Sequence, residues 1–237
     1  MCIYFFMISV TKTPDGTYSF IMPATAVTVT PVFEENKEPG PDDPDAPGKL
    51  DVSDIFIDVS RDAWYHDAVQ WAVDKGIMNG VSDTLFAPDG TCTRAMVVTM
   101  LWRLAGEPVV TYWMPYTDVS GDMWYAEAVR WAASTGAVKG TSETTFSPNT
   151  PVTREQLAAI LYRYAQAQGK GFEGEWMFLL DYPDRDQVSD WADEAMHWMT
   201  MHGIITGMGD GTLAPQDNAT RAQIATMFMR FCEELNQ

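Results

Sequence analysis

Three arginines, Arg94, Arg154 and Arg221, each follow a threonine, and the Thr-Arg pairs recur at intervals of 60 and 67 residues. A guanidinium is a permanently charged planar fork, able to grip a carboxylate through two parallel hydrogen bonds. Placed in the first turn of a helix, it adds to the partial positive charge and free N–H groups found there. The same arginines could instead pair with Asp58, Asp118 and Asp184 and brace each repeat; the residue types leave both readings open. Other reactive chemistry is sparse. Only His66, His197 and His202 are present, and the last two are five apart, a poor metal pair. No HExxH, GxSxG, P-loop or dinucleotide fingerprint occurs. The acids of the stretch from Asp181 to Asp186 lack the downstream glutamate of a calcium loop. Cys2, Cys92 and Cys232 form neither a disulfide framework nor a metal motif. No cofactor, metal site or catalytic residue is expected.

The arginines belong to a larger repetition, which sets the elements that position them. Align Trp64, Trp124 and Trp191. Ala68, Ala128 and Ala195 follow at +4, and Trp71, Trp131 and Trp198 at +7. Gly76, Gly136 and Gly203 stand at +12, and Gly80, Gly140 and Gly207 at +16. Pro88, Pro148 and Pro215 come next, then the three arginines, then Arg103, Arg163 and Arg230 at +39. Each copy reads as helix, loop, helix. The spacing predicts first helices over 64–75, 124–135 and 191–202, with both tryptophans on one face and the first glycine as C-cap. The two apolar residues between the paired glycines should plug the core. Second helices should start behind Thr93, Thr153 and Thr220, with capping boxes completed by Gln156 and Gln223. Positions +3, +4 and +7 after each arginine are apolar and form the buried face. The arginine itself is expected off that face and near solvent, and Arg103, Arg163 and Arg230 are expected to be structural or rim residues.

The pattern resembles three tandem S-layer homology domains. The opening motif reads Phe56-Ile-Asp58-Val59, Tyr116-Thr-Asp118-Val119 and Tyr182-Pro-Asp184. The helix starts read Thr93-Arg94-Ala95-Met96, Thr153-Arg154-Glu155-Gln156 and Thr220-Arg221-Ala222-Gln223, without the family's glutamate at the fourth place. The third copy has one extra residue between Asp184 and Trp191. The resemblance implies an all-α assembly with pseudo-three-fold symmetry, built from repeats over 55–110, 115–169 and 179–237, with grooves between neighbours. It further implies a non-catalytic anchoring module that binds secondary cell-wall polymer linked to peptidoglycan, in known cases through pyruvylated sugars, and holds an exported protein on the bacterial surface. Carried onto this chain, the ligand-binding candidates are Arg94, Arg154, Arg221, Gly80, Gly140, Gly207, Trp64, Trp124, Trp191, Asp58, Asp118 and Asp184. An Ala/Trp stripe more often reads as core, the glycines are first of all turn residues, and the aspartates read as caps or loop braces. The missing glutamate leaves an alternative, a repeat scaffold for protein binding or self-assembly with degenerate glycan sites.

The remaining sequence reads differently. Residues 1–33 carry β-rich runs, two of them flanking the turn signal Pro14-Asp15-Gly16. The stretch Gly16-Thr-Tyr18-Ser-Phe20-Ile-Met22-Pro23-Ala24 resembles the end of a β-repeat in long bacterial surface proteins. On that resemblance the chain is expected to continue a longer protein, with a signal peptide and cargo upstream. Residues 34–54 hold eight acids and four prolines, an extended tether. The 237 residues contain 33 Asp+Glu against 15 Lys+Arg, a formal charge of −18. That balance excludes nucleic acid and anionic membrane as partners, which demand basic patches. No apolar run reaches the ~18 residues of a spanning helix.

Overall fold

The computed structural model describes residues 50–172 and 178–236, together with the backbone of 11–12 and 18–19. Two units are distinguished, residues 1–48 and 49–237. In the first, strands β1 (Thr11–Lys12) and β2 (Tyr18–Ser19) pair antiparallel with Thr11 opposite Ser19, as the intervening turn signal predicts. The third β-rich run, and all of the acidic tether but its last few residues, lie outside the described residues.

The second unit is helical. A short helix α1 (Val52–Ile55) precedes three pairs: α2 (His66–Asp74) with α3 (Arg94–Leu104), α4 (Ala126–Ser134) with α5 (Arg154–Ala167), and α6 (Asp193–Met201) with α7 (Arg221–Leu235). Each first helix ends at a left-handed glycine: Gly76 (φ 66°), Gly136 (φ 74°) and Gly203 (φ 66°). The glycine amide and the one after it return to carbonyls of the last turn, as Gly76 to Val73 and Ile77 to Ala72. The following apolar pairs, Ile77-Met78, Ala137-Val138 and Ile204-Ile205, are all buried. Each second helix starts behind a threonine whose hydroxyl accepts from the amide three residues on, at 3.3–3.4 Å. The reciprocal half of the capping box forms only at Thr220 and Gln223. The box expected at Gln156 does not form, and its side-chain oxygen is buried without a donor among the described residues.

The helices pair across repeats. The first helix of one repeat packs on the second helix of the repeat before it: α4 on α3, α6 on α5, and α2 on α7, which closes a ring. The predicted stripe supplies the contact, since Val97, Val98, Leu101, Leu157, Ala158, Leu161, Ile224, Ala225 and Phe228 are all fully buried. At the centre, short antiparallel bridges join Thr93 to Pro151, Thr153 to Asn218 and Thr91 to Thr220. They bring together Cys92, Val152 and Ala219, one from each repeat and each fully buried.

The first helices start two residues later than the sequence suggests, and this corrects one expectation. Trp64, Trp124 and Trp191 precede the helix and are 68%, 61% and 52% exposed. They are not core. Trp131 and Trp198 are buried and Trp71 is half-buried, as expected of the +7 position.

The entry to the first repeat is tied down electrostatically. Asp51 caps α1 through the Ser53 amide at 2.8 Å, lies 3.2 Å from Arg61 and meets His66 Nε2 at 3.0 Å. His66 Nδ1 meets Asp67 at 3.0 Å. The Asp67 and Asp51 carboxylates raise the His66 pKa above 6.5, and the hydrogen bonds from Ser53 and His66 hold Asp51 well below the usual carboxylate range. Because the folded pKa of His66 is raised, its contribution to stability is fully present below about pH 6.5 and is lost as pH rises through the folded value. Titration of the His66 ring by NMR should give a midpoint above 6.5 that falls in Asp51→Asn; an unshifted midpoint in the unsubstituted chain would remove the coupling.

Candidate functional site

The repeated arginines are buried, only 5%, 4% and 7% exposed for Arg94, Arg154 and Arg221, which overturns the expectation that they lie near solvent. Each reaches into the next repeat. Arg94 donates from Nε to Phe146 O and from Nη2 to Lys139 O, both at 2.9 Å. Arg154 does the same to Leu213 O and Thr206 O, again at 2.9 Å. Arg221 closes the ring onto Phe86 O and Asn79 O of the first repeat. The guanidinium carbons of Arg94 and Arg221 also stand 4.9 and 4.5 Å over the rings of Phe146 and Phe86. One fork thus ties two loops of its neighbour, the glycine turn and the F-x-P loop.

The helix N-termini, expected to offer free N–H groups, are occupied by the same loops. Arg94 N donates to Thr150 O and Ala95 N to Pro148 O. Arg154 N and Glu155 N reach Asp217 O and Pro215 O, and Arg221 N and Ala222 N reach Gly90 O and Pro88 O. With the next amide taken by the threonine hydroxyl, these helix starts hold no anion through their backbone.

The aspartates do not pair with the arginines. The two carboxylate oxygens of Asp58 accept from Phe86 N and Ala87 N at 2.8 and 2.7 Å. Asp118 holds Phe146 N and Ser147 N, and Asp184 holds Leu213 N and Ala214 N, at the same distances. The second residue of each pair is a non-glycine in the left-handed region: Ala87 (φ 57°), Ser147 (φ 59°) and Ala214 (φ 49°). That conformation costs roughly 1–2 kcal/mol per L-residue. The carboxylate clamp offsets it and aims the preceding carbonyl at the neighbour's arginine.

Gly80, Gly140 and Gly207 lie against the motif aromatic. A Cβ on Gly140 would stand 2.3 Å from Ser142 O, 2.4 Å from Thr145 O and 2.7 Å from the Tyr116 ring. At Gly80 the corresponding ring is Phe56, at 2.5 Å, and at Gly207 it is Tyr182, at 2.7 Å. The close approach that demands glycine is therefore made by the chain itself.

These parts leave grooves composed from three repeats at once. The second groove, a cavity of about 610 Å³, is lined by Arg94 of the first repeat, Lys139, Gly140 and Arg163 of the second, and Trp191 of the third. The third groove, about 570 Å³, is lined by Arg154, Gly207 and Arg230, with Trp64 and Asp89 of the first repeat. In the first repeat, Asn79 and Met96 stand at the positions of Lys139 and Gln156. Trp64 and Trp191 are groove walls, and Trp64 and Trp124 are steadied by T-shaped contacts with Tyr65 and Tyr125 at 5.3 and 5.1 Å.

The electrostatics are unusual for so acidic a chain. No carboxylate lines the cavity of about 610 Å³ in the second groove, which carries three cations; Glu194 lines the cavity next to it. Among the described residues the ion pairs involve other groups, and Arg94 and Arg154 have no carboxylate at contact distance. Burial pushes the pKa values of Arg94, Arg154 and Arg163 below the usual guanidinium value. Asp118 acts on Arg94, and Asp217 and Asp184 on Arg154, only from beyond contact distance, so an anion admitted beside either cation stabilises it further. The sequence reading missed Lys139, which lies inside the glycine turn, and took Arg163 as a structural or rim residue. The signal for both was available only once Arg94 was known to enter the second repeat. Arg103, expected to be a structural or rim residue, donates to Ile77 O at 3.2 Å within its own repeat.

A ring of helix pairs locked by arginine, with composite grooves between repeats, defines a three-repeat binding module. The family model described as "S-layer homology domain" matches residues 56–95, 115–158 and 181–225, more than half of the chain. The chain belongs to that family. It is 31% identical over 179 residues to an amylopullulanase of Thermoanaerobacterium thermosulfurigenes, covering 76% of this chain and 10% of the relative. It is 30% identical over 189 residues to the exoglucanase XynX of Acetivibrio thermocellus, covering 80% and 17%. It is 30% identical over 176 residues to the surface-layer 125 kDa protein of Lysinibacillus sphaericus, covering 72% and 14%. The chain spans less than a fifth of each of these relatives.

Removing the fork of one arginine leaves two carbonyls without donors, at about 1–3 kcal/mol each. Arg154→Met should lower unfolding stability by about 2–4 kcal/mol in urea titrations. Arg154→Lys should restore little, because an ammonium cannot span Leu213 O and Thr206 O as a planar fork does. Full recovery by lysine would show that charge alone, and not the fork, is what the site needs.

Proposed function

We propose that this chain is a non-catalytic anchoring module that holds an exported protein at the bacterial cell surface by binding an anionic wall polysaccharide in its inter-repeat grooves. The observation that carries this reading is the second groove, in which Arg94, Lys139 and Arg163 converge beside an exposed indole with no carboxylate among them. A sugar carrying a pyruvate ketal matches both halves: its carboxylate meets the cations, and its ring face meets Trp191. Among the described residues Arg94 donates to carbonyls through Nε and Nη2, and Nη1 is the group that such a ligand would meet. The family membership supports surface attachment, and the relatives include proteins named for the surface layer and polysaccharide-degrading enzymes. Among the described residues no helix is long and apolar enough to cross a membrane and no cluster suits a metal ion.

The grooves rank by charge. The second has three cations and the third has two together with Asp89, and the first repeat carries Asn79 where the second carries Lys139. Arginine truncation is a poor test, because it breaks the ring. Lys139→Ala preserves the carbonyl that Arg94 uses and removes only the ammonium. The full chain should pellet with wall sacculi that retain secondary polymer and stay in solution with stripped sacculi. Lys139→Ala and Trp191→Ala should each weaken binding of a pyruvate-ketal hexoside about tenfold, with unchanged helical circular dichroism. Moderate salt should weaken the interaction little, because the net charge of −18 repels an anionic polymer at long range while the contacts are short-range. Equal pelleting with stripped and intact sacculi would overturn this function, and a steep loss with salt would overturn the groove as its site.

A further inference from the structure

The three junctions of the ring share one geometry but are not built from the same residues. At each, the second helix of one repeat meets the first helix of the next: α3 with α4, α5 with α6, and α7 with α2. The residue after the arginine is Ala95 at the first junction, Glu155 at the second and Ala222 at the third, and all three are buried. On the facing side, the residue two before the exposed tryptophan is Asp122, Ser189 and Asp62 in the same order, and the residue after it is Tyr125, Ala192 and Tyr65. Two junctions therefore combine alanine with aspartate and tyrosine. The second combines glutamate with serine and alanine.

The exchange is chemically matched. Glu155 accepts from Ser189 N through Oε2 and from Ser189 Oγ through Oε1, both at 3.0 Å. Glu155 is 4% exposed, so these two donors stand in for water around its carboxylate. The Ser189 carbonyl in turn accepts from Ala192 N at 2.8 Å, which draws the fully buried Ala192 into the same joint. Asp122, at the place of Ser189, accepts instead from Ser120 Oγ of its own repeat.

We propose that Glu155, Ser189 and Ala192 form a pairing key that admits the third repeat, and neither of the other two, onto the second, and so fixes the order in which the repeats close the ring. Wrong pairings fail in both directions. Glu155 against Asp122 or Asp62 sets two carboxylates together in a buried joint, and Tyr125 or Tyr65 adds bulk where glutamate already replaces alanine. The third repeat against Ala95 or Ala222 leaves the Ser189 amide and hydroxyl without this acceptor and opens a void beside Ala192. Repeats of one fold need such a difference, because contacts that favour the right neighbour favour a similar wrong one almost equally. A reversed order would send Arg94 into the third repeat, where Thr206 stands at the place of Lys139, and the three cations of the second groove would not converge. The key operates whatever that groove binds.

Both mispairings can be reproduced inside the full chain. Ser189→Asp with Ala192→Tyr gives the third repeat the entry of the other two and sets it against Glu155. Glu155→Ala offers the third repeat the helix face of the other two. Urea titrations should place the unfolding midpoint of the Ser189→Asp, Ala192→Tyr variant about 1 M below that of the unsubstituted chain, and that of Glu155→Ala below it by a smaller step. The triple variant, Glu155→Ala with Ser189→Asp and Ala192→Tyr, rebuilds the combination of the other junctions and should recover most of the loss. If the Ser189→Asp, Ala192→Tyr variant does not fold, folding of the triple variant carries the same support. The key should also be portable: Ala95→Glu should lower the midpoint, and Asp122→Ser with Tyr125→Ala should restore it. Losses that simply add in the triple variant, a Ser189→Asp, Ala192→Tyr variant as stable as the unsubstituted chain, or no restoration at the first junction would overturn the key.

Discussion

The three-fold set of arginine-to-carbonyl hydrogen bonds is the constraint on which the rest of the molecule depends. Arg94, Arg154 and Arg221 each bind the next repeat and not their own, so the set closes into a ring only when all three repeats are present. A guanidinium suits the task because its planar N–H groups address two carbonyls from one position. Burial of the cation opposes folding, and the charge-assisted bonds together with the ring faces of Phe146 and Phe86 offset that cost. The aspartate clamp is the second half of the same device. It holds a left-handed residue in the F-x-P loop and so presents the carbonyl that the arginine needs. The opening motif, the F-x-P loop and the Thr-Arg helix start are thus one interaction distributed over two repeats.

Much of this was legible in the sequence, and what was not has a common cause. The helices, their glycine C-caps, their threonine N-caps and the buried stripe from Val97 to Phe228 follow from local spacing, because caps and amphipathic faces are local physics. The status of Arg94 was not readable. A helical wheel places it off the apolar face, where an isolated helix would expose it, and only the neighbouring repeat buries it. Trp64, Trp124 and Trp191 fall to the same limit from the other side. Their spacing to Trp71, Trp131 and Trp198 fits a helical face, but the chain turns into the helix two residues later and leaves them outside. The uneven capping box is a third case: Thr153-Arg-Glu-Gln156 and Thr220-Arg-Ala-Gln223 carry the same cap residues, yet the reciprocal bond forms only in the second of them.

The site and the ring are coupled by construction. The second groove takes Arg94, Lys139 and Trp191 from three different repeats, and the third takes Arg154, Gly207 and Trp64 likewise. An isolated repeat therefore presents no groove. A ligand that bridges such a groove binds the closed ring and not the opened one, and by mass action it strengthens the closure that creates its own site. Under the proposed anchoring role, load on a bound polymer would be shared between groove contacts and arginine locks.

The charge of −18 appears at first to forbid an anionic partner, and its distribution removes the conflict. Residues 1–54 hold nine acids and three bases, so the repeats still carry twice as many acids as bases. The acids are spent locally, on loop clamps such as Asp58, Asp118 and Asp184 and on a solvated surface. The cations are not neutralised in the same way: Arg94, Lys139 and Arg163 converge on one groove from two repeats. At ~8 Å screening in physiological salt, an incoming sugar carboxylate inside that groove responds to these three groups far more than to the distant acids. Under the proposed anchoring role, the acidic surface would oppose loose adsorption of polyanions along the molecule and leave attachment to the few points where a carboxylate and a sugar face can be met together.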